Sequence, residues 1–416
     1  MNTSQSAAAH APQPNSAASQ TIGLPQGFRA AGVYSGVKRN TSKLDLSLIL
    51  SDRPAVAAGV YTQNRVFAAP VALDRARTPA ADMRAIVINS GNANACTGQR
   101  GLDDAHEMAR LAAAACGVAP TSVLVLSTGI IGHFLPMDKI STGIAAAAKE
   151  LSTDDDSLVA AARGMLTTDT VHKLIGGTLR LEGRTVHITG MAKGAAMIGP
   201  NMATMLGVML TDAPLDVATA QRLLAEGADR TFNCISVDGH MSTNDTVLLL
   251  ANGAAGGPPL AGAELEQFRI AFEATAGELA KAIPRDGEGA THLITVDVTG
   301  CASEAAARQI ARCVADSPLV KTAVAGGDPN WGRIVSAAGY AGVPFDPAGV
   351  DLHVNGFLLY KQGAPVEFDD PLVSKSIREN RETSVVLRFS EGDAKIRFWT
   401  TDLTAEYVRL NADYRT

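Results

Sequence analysis

Apolar residues in this chain come in short runs, each about one β-strand long and each ending in Gly, Asn, Ser or Thr. Residues 84–89 read Arg-Ala-Ile-Val-Ile-Asn and lead into Ser90-Gly91-Asn92-Ala93-Asn94. Val123, Leu124, Val125 and Leu126 stop at Ser127-Thr128-Gly129, and residues 205–210 form a third such run. Runs this short between turn residues read as buried strands. None approaches the ~18 residues that a membrane-spanning helix needs. Helical spacing appears at 102–116, 136–149, 215–226, 263–282, 303–315 and 371–380. Leu265, Phe268, Phe272, Leu279 and Ile283 share one helical face.

More strands are expected at 177–181 and 184–189, about a Glu182-Gly183 hairpin turn, and at 292–298, 352–359, 383–389 and 395–400. The last two are joined by Ser390-Glu-Gly-Asp, which also reads as a hairpin. Helices and strands interleave without an internal repeat, and many connections are hairpin-like. The fold class this supports is α+β, a layered α/β sandwich with mixed or antiparallel sheets covered by helices. There is no Rossmann fingerprint and no P-loop.

At 416 residues the chain has room for about two or three domains. Its formal charge of -6 gives no basis for binding a nucleic-acid backbone, and 5% aromatics gives little for base stacking. The five cysteines are scattered with no CxxC pair, so buried free thiols in a reducing compartment are expected. Residues 1–20 are rich in Ala, Ser, Gln and Pro and lack Lys and Arg, so they read as a disordered tail rather than a targeting segment. A cytoplasmic enzyme, ordered from about Pro25, is the expectation.

Acyl transfer needs a nucleophile, a base and donors for the oxyanion. Thr204 follows a Gly199-Pro200-Asn201 turn and a small Ala203, and precedes an apolar run. A chain break before it would free an α-amine, with a pKa of about 7.7–8.0, to act as the base. Alone, the segment reads rather as a turn entering a core strand. Thr128-Gly129 offers backbone N–H groups at a strand end, or simply a strand-to-helix turn. Thr167-Thr168-Asp169-Thr170 suits an amino-acid ligand or a helix cap. Lys193 could pair a carboxylate and Glu288 an ammonium, or each could be a solvated surface charge. The cluster from Ser236 to Asp245, the Trp331 loop and the polar end at 410–416 are also unusual. The histidines form no HxxxH or HExxH, so no metal site is expected.

Seven segments together resemble the ornithine acetyltransferase (glutamate N-acetyltransferase) family. They are Asn89-Ser-Gly-Asn-Ala-Asn94, Ser127-Thr-Gly129 with Leu135-Pro-Met137, Thr167-Thr-Asp-Thr170, Lys193-Gly-Ala-Ala-Met-Ile-Gly-Pro-Asn-Met-Ala-Thr204, Arg285-Asp-Gly-Glu-Gly-Ala290, Gly327-Asp-Pro-Asn-Trp-Gly-Arg333 and Asn411-Ala-Asp-Tyr-Arg-Thr416. They are collinear over roughly 20–416. The resemblance implies self-cleavage between Ala203 and Thr204, giving an α chain (21–203) and a β chain (204–416) that assemble as α2β2. It implies that Thr204 becomes acetylated by N-acetylornithine and passes the acetyl group to glutamate, with Thr128 and Gly129 as the oxyanion hole. Thr168, Lys193, Thr204, Glu288, Asn411 and Thr416 are then the substrate contacts, with Thr167 the alternative to Thr168. No metal or cofactor is implied, and acetyl-CoA is a possible co-substrate. A related amidase or aminopeptidase with an N-terminal nucleophile is the alternative. His240 departs from the acidic residue expected in Val237-Asp238-Gly239-His240.

Overall fold

The computed structural model describes residues 22–199 and 205–413. The expectations for 1–20, Ala203, Thr204 and Thr416 lie outside them. In chain order the elements are β1 (Phe28–Val33), β2 (Leu46–Tyr61), α1 (Ala69–Arg77), β3 (Ala80–Asn92), α2 (Gly98–Cys116), β4 (Val123–Ile130), α3 (Met137–Lys149), α4 (Asp155–Gly164), β5 (Lys173–Leu181), β6 (Arg184–Lys193), β7 (Leu206–Thr211), α5 (Val217–Arg230), β8 (Thr246–Ala251) and α6 (Gly262–Arg285). There follow β9 (Leu293–Cys301), α7 (Glu304–Asp316), α8 (Pro318–Ala325), α9 (Trp331–Gly339), β10 (Asp351–Val354), β11 (Phe357–Lys361), β12 (Ala364–Pro365), α10 (Asp370–Arg378), β13 (Glu382–Arg388), β14 (Ala394–Thr401) and α11 (Ala405–Asp413).

β1 to β8 form one mixed sheet in the order β4-β3-β2-β8-β7-β6-β5, with β1 also on β2. Long β2 belongs to two halves. Its first part pairs with β1 and β3, and its last part, Val56–Tyr61, pairs with β8. The pairing with β3 shifts register between Leu50 and Ala57. Strand alternation then sorts the side chains. Ile86, Ile88, Leu124 and Leu126 of one half share a core with Leu206, Val208, Leu248 and Leu250 of the other, closed by Leu158, Ala161 and Ala162 of α4. Ala85, Val87, Val123 and Val125 face outward onto α2 and α3. Met209, Val247 and Leu249 face outward onto α5 and α6, where Phe268, Phe272, Leu279 and Ile283 are buried as their spacing predicts. The result is a layered α/β sandwich in which the two halves of the sheet face each other.

The second sheet runs β12-β11-β10-β13-β9-β14 and packs under α7 to α10. Residues 352–359 are not one strand: Asn355 and Gly356, both with positive φ, turn β10 into β11. Residues 390–393 do not close a hairpin either. β9 lies between β13 and β14, parallel to the first and antiparallel to the second. The 390–393 loop crosses the end of β9, where the Glu391 and Gly392 N–H groups donate to Gly300 O. A Cβ at Gly300 would sit 2.0 Å from Phe389 O, so this crossing requires glycine. Trp331 is not in a loop: it opens α9, capped by Asn330, and stacks on Tyr360. All five thiols are free, but only Cys234 and Cys301 are buried; Cys116 and Cys313 are half-buried and Cys96 is exposed. Among the described residues, no helix is long and apolar enough to cross a membrane.

Candidate active site

The two halves of the first sheet end together at one rim. Strand β4 does not stop at Ser127 but continues through Thr128-Gly129 on one half. On the other half β6 ends at Lys193, β7 begins after Met205, and β8 begins after Asp245. Register aligns these ends, with Lys193 opposite Leu206 and Leu206 opposite Thr246. The gap between the halves is bridged by Lys193, whose Nζ donates to Thr128 Oγ1 at 3.2 Å.

Local sequence explains each placement. Gly129 has φ +134°, and a Cβ there would lie 2.3 Å from Gly91 C, so the ends of β3 and β4 approach this closely only through glycine. Asn244 Nδ2 donates to Ala93 O at 2.7 Å and Ser127 O at 2.8 Å, which ties the loop before β8 to β3 and β4. Asp238 accepts N–H groups from Met197, Ile198 and His240 and so clamps the segment after Lys193. Thr168 lies in the bend between α4 and β5. Its neighbour Asp169 takes Lys173 Nζ and the Gly194 N–H, both at 2.7 Å, and the Thr167 N–H at 3.1 Å. Lys173 is shared with Asp286 at 2.7 Å, which makes a buried joint beneath the bend.

Glu288 enters from the end of α6. Its N–H donates to Ala195 O at 2.8 Å, and its carboxylate accepts Asn411 Nδ2 at 3.0 Å. Asn411 sits on helix α11. Thr128, Gly129 and Lys193 come together directly. Glu288 and Asn411 pair with each other and join the strand end through Ala195, and Thr168 joins it through Asp169 and Gly194.

Charge at the rim is held under tension. Burial pulls the Lys193 ammonium below its ordinary pKa, opposed by Asp169, Asp245 and Glu288 and reinforced by Lys173. Burial alone would raise the Asp169 carboxyl, but Lys173, Lys193 and the hydrogen bonds from Lys173 and Gly194 hold it well below the usual range. Asp245 goes the other way. Burial pushes it well above the usual carboxylate range, despite Thr62, the Met205 N–H and Lys193. Its Oδ1 accepts the Met205 N–H at 3.2 Å, and among the described residues its Oδ2 has no partner. Asp245 and Asp169 are acidic residues to which the motif resemblance assigns no individual role. The signal for Asp245 is a carboxylate directly before the apolar run 246–251, where a solvated loop has no reason to bury one.

Chemically the rim offers a hydroxyl on Thr128 whose hydrogen has no acceptor among the described residues. It also offers an ammonium with two hydrogens that have no acceptor among the described residues, and a buried carboxyl, held above its usual pKa, against the backbone of Met205.

The chain matches the ArgJ family over residues 29–416. It belongs to the ArgJ family. An arginine biosynthesis bifunctional protein ArgJ of Rhodopirellula baltica is 47% identical over 94% of this chain and 96% of its own length. The protein of the same description from Symbiobacterium thermophilum is 49% identical over 95% of this chain and 98% of its own. A crystal structure of ArgJ from Bacillus halodurans aligns with 38% identity and a TM-score of 0.48, over 49% of this chain and 96% of that one. This ArgJ-family chain is thus an acetyltransferase of arginine biosynthesis, as the motif resemblance implies.

Proposed function

We propose that the chain cuts itself between Ala203 and Thr204 and then uses Thr204 to move the acetyl group of N-acetylornithine to glutamate. The observation that carries this reading is the rim itself. The backbone nitrogen next to Thr204, that of Met205, lies on buried Asp245, and Lys193 and Thr128 join across the same opening.

In this reading the freed α-amine of Thr204 takes the proton of its own hydroxyl as Oγ1 attacks the acetyl carbonyl. The Thr128 hydroxyl and the Gly129 N–H stabilise the oxyanion. The C–N bond of the amide breaks, ornithine leaves with the proton, and Thr204 carries the acetyl ester. The amine of glutamate then attacks that ester, which regenerates the hydroxyl. Lys193 holds the substrate carboxylate, and Glu288 with Asn411 holds the ammonium, joined by Thr168 and Thr416. Asp245 positions Met205 and so the nucleophile. No metal or cofactor takes part, and acetyl-CoA is a second donor. The free thiols suit a cytoplasmic setting.

Cleavage need not release either piece. β7 and β8, from the 204–416 piece, lie in the first sheet between β6 and β2, from the 21–203 piece. Two pieces interlocked in one sheet support a stable αβ unit, which we assign to an α2β2 assembly.

Intact mass and N-terminal sequencing of the mature protein test the reading. Two chains are expected, one beginning at Thr204, with a 42-Da adduct (roughly one acetyl group) on Thr204 after exposure to N-acetylornithine. Thr204→Ala should leave one uncut, inactive chain. An uncut chain that retains full activity would overturn the mechanism, and release of free acetate without an amine acceptor would point to an amidase.

A further inference from the structure

Behind the rim lies a cavity of about 410 Å³ that the acetyl-transfer scheme does not use. Its wall includes Lys38, Lys43, Arg163, Thr170 and His172, and its one carboxylate among the described residues is Asp169. Asp169 is already engaged by Lys173 and by the N–H groups of Gly194 and Thr167. The cations are not matched in this way. Among the described residues, neither the Lys43 nor the Arg163 side chain forms an ion pair or hydrogen bond, and both are exposed. Lys38 Nζ donates to Leu44 O and Leu166 O, both at 2.6 Å, which leaves its third hydrogen unassigned. In a chain of net charge -6, a concave site with three side-chain cations and one neutralised acid is a local reversal of sign.

We propose that this cavity is an anion-binding subsite for a ligand bearing phosphate groups. A single carboxylate would leave most of the positive charge unmatched. Phosphate groups supply several acceptor oxygens, suit the guanidinium fork of Arg163, and accept from lysine ammonium groups as well. The volume lies within the range of small-ligand pockets.

The cavity touches the rim through one side chain, since Asp169 is both its acid and the acceptor for Gly194, next to Lys193. Two sources share the chemistry: the nucleotide end of a thioester donor such as acetyl-CoA, or a free phosphorylated effector. The first source rests on the acetyl-transfer reading. There the thioester C–S bond breaks, the acetyl carbon bonds to Thr204 Oγ1, and the hydroxyl proton ends on the departing thiol.

The test is calorimetric titration of the mature enzyme with adenosine 3′,5′-bisphosphate and with inorganic pyrophosphate, on wild type and on the Lys43→Ala/Arg163→Ala double variant. Wild type should bind at least one probe, with affinity falling about tenfold or more in the variant as charge-assisted bonds are lost. Both substituted side chains lie outside the transfer machinery, so transfer from N-acetylornithine to glutamate should keep its rate, which also certifies the fold. With acetyl-CoA as donor, a raised KM at unchanged kcat in the variant identifies the thioester source. Weakened probe binding without that KM change identifies a free effector. If wild type binds neither probe, or the variant binds both equally well, the subsite is overturned. A wild type inactive on N-acetylornithine would instead count against the transfer reading, and the titration stands apart from it.

Discussion

Two buried lysines, one at the rim of the first sheet and one where the two sheets meet, show how differently the same side chain is used. Lys321 on α8 gives its three hydrogens to Val237 O, Thr400 Oγ1 and Thr401 Oγ1, at 2.8, 3.0 and 3.1 Å. Burial lowers its pKa to about 8, against the pull of Asp316, Asp238 and Asp402. Lys193 is as deeply buried, yet among the described residues it has one hydrogen-bond partner, Thr128. A buried ammonium that lacks partners is expensive for folding. Lys321 fastens two layers together, whereas Lys193 keeps hydrogens without an acceptor among the described residues, which in the proposed reading a substrate carboxylate takes.

Replacing each lysine by Met should separate the two roles. Lys193→Met should lower acetyl transfer ~10²–10³-fold, comparable to deleting one preorganised donor. Its thermal stability should hold or rise, because an under-partnered charge leaves the interior. Lys321→Met should do the reverse. Three acceptors lose their donor, at a cost of about 1–3 kcal/mol, while transfer per folded molecule stays within about twofold. Denaturant titration and initial rates on both variants read this. A stability loss at Lys193 equal to that at Lys321 would erase the contrast.

The same contrast marks what could be read from sequence. Uniform strands and long amphipathic helices were legible because burial repeats along them, as in residues 84–89 and along α6. Strand β2 was hidden, since Asp52-Arg53-Pro54 breaks its apolar pattern where it passes from one half of the sheet to the other. Helix α11 was hidden because it buries no residue and so shows no apolar face. Order across the second sheet was illegible for a different reason. Nothing local to 390–393 says that β9 will insert between β13 and β14. The motifs single out Thr128, Gly129, Lys193, Glu288 and Asn411; the fold joins Lys193 to Thr128 and pairs Glu288 with Asn411. Asp245 and Asp169 act through burial and contacts, which only the fold supplies.

The joint around Lys321 also contains His292. Its Nδ1 lies 3.0 Å from Asp402 Oδ2 and its Nε2 3.1 Å from Ile377 O, so both nitrogens face acceptors and the imidazolium is favoured. The hydrogen bond to Asp402 raises its pKa above the ordinary value, against burial, while the Asp402 carboxyl is held below its own. With the folded pKa of His292 raised, its stabilisation is complete below about pH 6.5 and is lost as pH climbs through the folded value. Melting temperature should therefore fall from about pH 6 to about pH 9 more steeply for wild type than for His292→Gln. Parallel slopes would remove the histidine from this joint.

The smallest effect belongs to His240, although the motif comparison makes it the most conspicuous departure. Its side chain is exposed and makes no hydrogen bond among the described residues. What the segment contributes is backbone. The His240 N–H donates to Asp238 Oδ1 at 3.1 Å, and the N–H groups of Val237, Asp238 and Gly239 all donate to Ile198 O. Any L-residue except proline keeps those bonds. His240→Asp should thus change stability by less than about 0.5 kcal/mol, as for most surface substitutions, and leave the proposed self-cleavage and the transfer rate unaltered. Asp238→Asn is the informative partner, because that carboxylate also takes the Met197 and Ile198 N–H groups and the Tyr407 hydroxyl. If the His240 variant slowed cleavage as much as the Asp238 variant, the side chain would have a role that its exposed position does not reveal.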